Sequence, residues 1–168
     1  MMSKINNLLN VKQQYATANN LYTRISIHDK YSTNKMGFGN WIVSNYKIDK
    51  GMKVLELGCG TGDMWKNRES LISHCSKLIL SDFSEGMITT TKENVGNYDN
   101  IEYKVLDIQN IPYEDETFDI VIANMMLYHV PDIYKGLAEV RRVLKKGSCF
   151  YCATYGEHGI TAYLSKIL

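Results

Sequence analysis

The chain has 168 residues, of which 45% are hydrophobic and 22% charged, and its formal net charge is +1. That length suits a single domain large enough to bury a real core. The near-neutral balance provides no basic face for nucleic acid or an anionic membrane, and no apolar run approaches the ~20 residues a spanning helix requires.

The first fifty residues are polar. Leu8, Leu9, Val11, Tyr15, Ala18 and Leu21 fall roughly on one helical face, and a second short helix is expected from Phe38 to Tyr46, with Trp41, Ile42 and Tyr46 on its apolar side. Between them, His28 to Gly37 reads as a loop. Tyr31, Ser32, Asn34 and Lys35 are lid candidates there, although a solvated connector is the simpler reading. Trp41 is expected in the core. Residues 1–50 are therefore set apart as a helical lid segment, and residues 51–168 as the main body of the domain.

From Lys53 the pattern changes. Strands are predicted over 53–58, 77–82, 101–107, 118–124 and 148–154, with helices over 63–74, 84–95, 131–144 and 160–168. This alternation predicts an α/β three-layer sandwich built on a mostly parallel sheet. Continuous apolar runs such as Phe118 to Ala123 suit strands covered on both faces. In sheets of this kind ligands bind beyond the carboxyl ends of the strands.

Those ends carry the informative residues. The first strand runs into Gly58-Cys59-Gly60-Thr61-Gly62-Asp63, a glycine turn opening a helix. Such a turn lets a ligand approach the backbone and places free N–H groups near an anion. Its G-x-G-x-G spacing differs from the G-x-G-x-x-G of dinucleotide sites and suits a smaller anionic group, such as an amino-acid carboxylate. Glu56, inside an apolar strand, needs either a partner on a neighbouring element or a cationic ligand. Asp82 ends the second strand, where a carboxylate can accept ribose hydroxyls or cap the next turn. Phe83 is placed to lie against an adenine face, and Ser84 to cap the following helix. Asp107 and the Ile108 N–H repeat this logic for an adenine edge, although Asp107 also suits a turn.

Other features have plainer explanations. Arg141, Arg142, Lys145 and Lys146 form a solvated helix end. Cys149 and Cys152 spell C-x-x-C, but strand positions i and i+3 point to opposite faces, and no second pair accompanies them. Free cysteines and the lack of a secretory signal suggest a reducing cytoplasm.

Together these segments resemble the class I methyltransferases that depend on S-adenosylmethionine (SAM), in particular the methyltransferase-11-like group. The resemblance spans Lys53 to Thr154 and rests on Val54-Leu55-Glu56-Leu57-Gly58-Cys59-Gly60-Thr61-Gly62, Asp82-Phe83-Ser84-Glu85-Gly86-Met87, Asp107 with Ile111 to Asp119, and Glu139 to Gly147. It implies a Rossmann-like fold and SAM as cofactor. Glu56, Gly58 and Gly60 would hold the methionine part, with Cys59 a cofactor-binding residue of the same turn, Asp82 on the ribose and Phe83 beside adenine, with Met87 in the same segment. Asp107 and Ile108 would read the adenine edge. Asn124 would place its backbone near the sulfonium, with Met125 next to it.

Family members continue to a sixth and a seventh strand, so the final sheet strands are expected to be missing here. The open edge would favour a homodimer. His129 lies on the correct edge to act as a general base, but a capping or packing role before Pro131 is the plainer reading. The acceptor is expected to be a small molecule, because Asn124-Met125-Met126-Leu127 is not the Asn-Pro-Pro-Tyr-type motif associated with methylation of DNA bases. The same sequence also accommodates a SAM-binding module without turnover. The glycine spacing argues against a nicotinamide-dependent oxidoreductase.

Overall fold

The computed structural model describes residues 7–154. Its core is a five-stranded, all-parallel sheet in the order β3-β2-β1-β4-β5. The strands are β1 (Met52–Leu57), β2 (Cys75–Asp82), β3 (Ile101–Val105), β4 (Phe118–Asn124) and β5 (Leu144–Ala153). The chain steps outward from β1 to β2 and β3, then crosses back to place β4 on the other side of β1. Strand order therefore reverses between β1 and β4, where an open α/β sheet forms its crevice.

Period-two alternation separates two cores. Val54, Leu78, Leu80, Ile120 and Ile122 face one way, packed with Trp65, Ile72 and Val95. Leu55, Leu57, Ile79, Val121 and Ala123 face the other, packed with Val140 and Val143. The helices follow from this division. α4 (Glu69–His74) and α5 (Glu85–Val95) lie on the first face, and α6 (Ile133–Val143) on the second. Crossovers that run in opposite directions across a sheet put their helices on opposite faces when each is right-handed. The predicted three-layer sandwich results.

Several boundaries differ from the sequence expectation. The apolar face from Leu8 to Leu21 is split between α1 (Leu8–Gln14) and α2 (Asn19–Tyr31), with Leu9 exposed. α2 runs through part of the expected loop at 28–37. α3 (Phe38–Ser44) is present, but Trp41 is exposed and Ile42 is the buried residue. Only Glu69–His74 of the expected 63–74 helix forms. Before it, Trp65 and Lys66 both donate to the Gly62 carbonyl, and Asn67 takes a φ of 57° that interrupts helical continuity. α6 starts after Asp132, whose side chain accepts from the Lys135 N–H. β3 stops at Val105, and Asp107 instead pairs with Asn110 in a tight turn. β5 begins at Leu144 rather than 148. Cys149 and Cys152 are exposed free thiols. The helix expected at 160–168 lies outside the described residues. Among the described residues, no helix is long and apolar enough to cross a membrane.

Candidate cofactor and acceptor site

The glycine turn after β1 is fixed by backbone geometry. Gly58, Gly60 and Gly62 all have left-handed φ values of 69°, 59° and 78°. A side chain at Gly62 would meet Val95 and Thr91 at 2.8 and 2.9 Å, so α5 packs directly against the turn. Cys59 is buried under it, its sulfur 3.4 Å from the Thr91 hydroxyl. Thr91 in turn donates to the Gly60 carbonyl at 2.7 Å.

Asp82 at the end of β2 ties this turn to the next one. Its carboxylate accepts from the Gly60 N–H at 3.0 Å and from the Ser84 N–H at 2.9 Å. Burial pushes its pKa up, while these backbone donors oppose the shift. Phe83 follows, with the Lys12 ammonium 5.1 Å from its ring centre. Ser84 caps α5, as its sequence position suggested. Met87 is fully buried beneath this turn.

Glu56 has the partner its burial demands. One oxygen accepts from the Trp65 indole at 2.6 Å. Desolvation nonetheless pushes its pKa up to about 7, with the Asp82 charge adding to the rise and the indole opposing it. At the end of β4 the buried Asn124 amide donates to the Tyr46 hydroxyl at 2.5 Å, and its side-chain oxygen is buried with no partner among the described residues. Met125 then takes a φ of 53°, unusual for a residue with a β-carbon, and its N–H donates to Ala153. Met126 closes over Gly58, where a β-carbon would come within 2.8 Å of it. On the adjoining turn, the Asp107 carboxylate accepts from the Gln109 N–H at 2.8 Å, and Ile108 is buried in the second core.

The N-terminal segment forms a roof over this rim. Leu21 lies above Gly60, 3.1 Å from where a β-carbon would sit, and the Ser84 hydroxyl donates to the Tyr15 carbonyl at 2.7 Å. The Tyr15 hydroxyl meets His129 Nε2 at 2.9 Å. The expected lid residues Tyr31, Asn34 and Lys35 are exposed and Ser32 is half-buried, with Ser32 and Asn34 bonded within their own turn. Sequence reading missed Trp65, Tyr46 and the covering role of Tyr15. Trp65 had a local signal, since a buried carboxylate in a strand requires a donor nearby.

One electrostatic feature decides what the rim can hold. Glu56, Asp82, Asp107 and the Asn124 carbonyl all present acceptors at adjacent strand ends, and none of the three carboxylates is in a salt bridge among the described residues. A diphosphate would meet repulsion here. A ligand with an ammonium, a sulfonium and ribose hydroxyls would meet complementary charge and acceptors. These residues therefore fit SAM.

A glycine turn, an acidic end to β2 and acceptors at the switch point of a 3-2-1-4-5 sheet define the nucleoside-binding half of a class I methyltransferase fold. Residues 55–152 match the family model described as a methyltransferase domain, and the chain belongs to that family. It is 29% identical over 143 residues to a demethylmenaquinone methyltransferase of Staphylococcus epidermidis, a match covering 85% of this chain and 56% of that protein. The chain thus spans just over half the length of such curated relatives. Its fold is similar to a SAM-dependent methyltransferase of Aquifex aeolicus (TM-score 0.62, 22% identity, covering 79% of this chain and 72% of that one). It is similar also to the cyclase SpnF (TM-score 0.71, 20% identity, covering 90% and 63%). The second neighbour shows that this fold alone does not specify the reaction.

Proposed function

We propose that the chain binds SAM across the β1–β4 switch point and serves methyl transfer to a small-molecule acceptor. The observation that carries this reading is the row of buried and half-buried acceptors with no paired cation among the described residues. Glu56 and the orphaned Asn124 oxygen would receive the ammonium of the methionine part, alongside the backbone of Gly58 and Gly60. Asp82, whose carboxylate accepts from the backbone N–H groups of Gly60, Ser84 and Phe83, would take ribose hydroxyls on its remaining lone-pair capacity. Phe83 would flank adenine, with Asp107 and Ile108 at its edge. Met125 and Met126 would wall the reactive end.

Bound there, SAM supplies a methyl group on a sulfonium leaving group. The chain's own residues have the simpler work of orienting the partners and excluding water. The roof formed by Tyr15 and Leu21 suits the second task. A ligand ammonium beside Glu56 would also favour its ionised form and offset the effect of burial.

The name of the staphylococcal relatives makes a reduced, demethylated naphthoquinone the first acceptor class to try, and 1,4-naphthohydroquinone is a soluble representative. The test is transfer of a labelled methyl group from SAM to that probe and to fractionated cell extract. Label in a small-molecule fraction supports the proposal. SAM binding without label in any fraction favours a binding module, and label only in nucleic acid or protein contradicts the choice of acceptor.

A further inference from the structure

Tyr15 and His129 lie 114 positions apart in sequence, yet their side chains meet across the mouth of the site. Each is anchored to a different side of the rim. The Tyr15 carbonyl accepts from the Ser84 hydroxyl, and the Ser84 N–H donates to Asp82. The His129 N–H donates to the carbonyl of Met126, the residue that closes over Gly58. The pair therefore bridges the β2 turn and the β4 turn. Its rings meet edge to face at 5.3 Å, and Tyr128 stacks obliquely on His129 at 4.4 Å. All three residues are half-buried, so part of each ring remains open to solvent.

From this geometry we infer that Tyr15 and His129 form a proton relay for a hydroxyl-bearing aromatic acceptor, completed only when the N-terminal segment is docked. The inference rests on the SAM reading above. Tyr15 donates to Nε2 of a neutral His129 whose proton is on Nδ1. An acceptor hydroxyl gives its proton to the Tyr15 oxygen while the tyrosine proton passes to Nε2. Two O–H bonds break, one O–H and one N–H bond form, and the product is a phenolate facing an imidazolium. The phenolate oxygen, or a ring carbon activated by it, then takes the methyl group as the carbon–sulfur bond breaks with its electron pair going to sulfur. Methylation at oxygen ends the sequence once the imidazolium returns its proton to water. At carbon, the ring proton lost on rearomatisation restores the hydroxyl, and the imidazolium again returns its proton to water.

Tyr15 is the residue that touches the acceptor, and His129 acts through it. Tyr15→Phe keeps the ring contact and removes the hydroxyl. His129→Gln keeps a hydrogen-bonding partner near the Nε2 position but takes no proton. With 1,4-naphthohydroquinone under anaerobic conditions, each variant is expected to lose roughly 100-fold in single-turnover rate. KM for the probe and affinity for S-adenosylhomocysteine should stay within about twofold, and the double variant should be no slower than the slower single one. A second readout needs neither cofactor nor acceptor. The imidazole nitrogen resonances of 15N-histidine protein, assigned by their absence in His129→Gln, should show the Nδ1–H tautomer, with Nε2 shifting in Tyr15→Phe. An Nε2–H tautomer, wild-type rates in either variant, or multiplying effects would overturn the relay. So would absence of transfer to the probe by protein that binds S-adenosylhomocysteine. Failure to bind S-adenosylhomocysteine at all would instead overturn the SAM reading.

Discussion

Gly62 and Gly86 are both tightly enclosed, but by different parts of the molecule. A β-carbon on Gly62 would meet Thr91 and Val95, on the inward side of α5. One on Gly86 would run into the carbonyl of Ala16, in the N-terminal roof. The turn under the site is thus held by the same packing that holds the sheet. The roof is a separate layer, and its contacts to the body include Ser84 to Tyr15, Tyr15 to His129, Asn94 to Tyr22, Lys12 over Phe83, and Leu21 over Gly60. A floor packed into the core and a roof docked on top of it would open at different free energies, so the roof could part without disturbing the core.

The sharpest way to break this comparison is Gly62→Val. The left-handed φ and the 2.8 Å approach to Val95 leave no room, so urea unfolding should show a loss of about 3 kcal/mol or more. A near-wild-type midpoint would mean that α5 is as yielding as the roof.

Glu56→Gln comes next. An unfolded glutamate ionises near 4.5, whereas burial holds the folded group to about 7. Between those values the unfolded chain releases a proton that the native chain keeps, so Glu56 erodes stability as pH rises through the window and its effect levels above it. The glutamine variant should match the wild type near pH 4. It should gain on the wild type up to about pH 7, by about 3 kcal/mol. A pH-independent difference in melting temperature would show that Glu56 is not held neutral. Trp65→Phe removes the donor from this carboxyl and should cost about 1–2 kcal/mol in the same denaturation assay, an effect Glu56→Gln should reduce.

The mildest change tests the roof alone. Gly86→Ala should move the unfolding midpoint by less than about 0.5 kcal/mol. It should nevertheless speed tryptic cleavage at the exposed Lys12 and Lys30, because the Ala16 carbonyl must give way. Equal loss of global stability and roof protection would show the two layers to be one cooperative unit.

What the sequence made legible follows the same division. The strands and their order of chemistry were readable because each is an apolar run ending in a polar signal, and the Gly58–Gly62, Asp82 and Asp107 turns lie where a parallel sheet puts its ligands. The helix expected at 63–74 was misjudged because Trp65 turns inward to Glu56, and periodicity does not register a single buried indole. Trp41 was assigned to the core by residue type, yet it is on the outside of α3. Tyr15–His129 and Tyr46–Asn124 join residues 114 and 78 positions apart, and no local pattern announces such pairs. The residues named from strand ends lie along the rim in the fold. Those that the N-terminal segment brings over it became visible only in three dimensions.

Everything turns on whether the acceptor-lined rim receives an adenosyl amino acid. Isothermal titration of the full chain with S-adenosylhomocysteine and with NAD, repeated on Asp82→Ala, tests this directly. The account predicts saturable binding of S-adenosylhomocysteine, a loss of roughly 1–3 kcal/mol in the variant, and no heat from NAD. Binding of NAD, or affinity for S-adenosylhomocysteine that does not depend on Asp82, would contradict it.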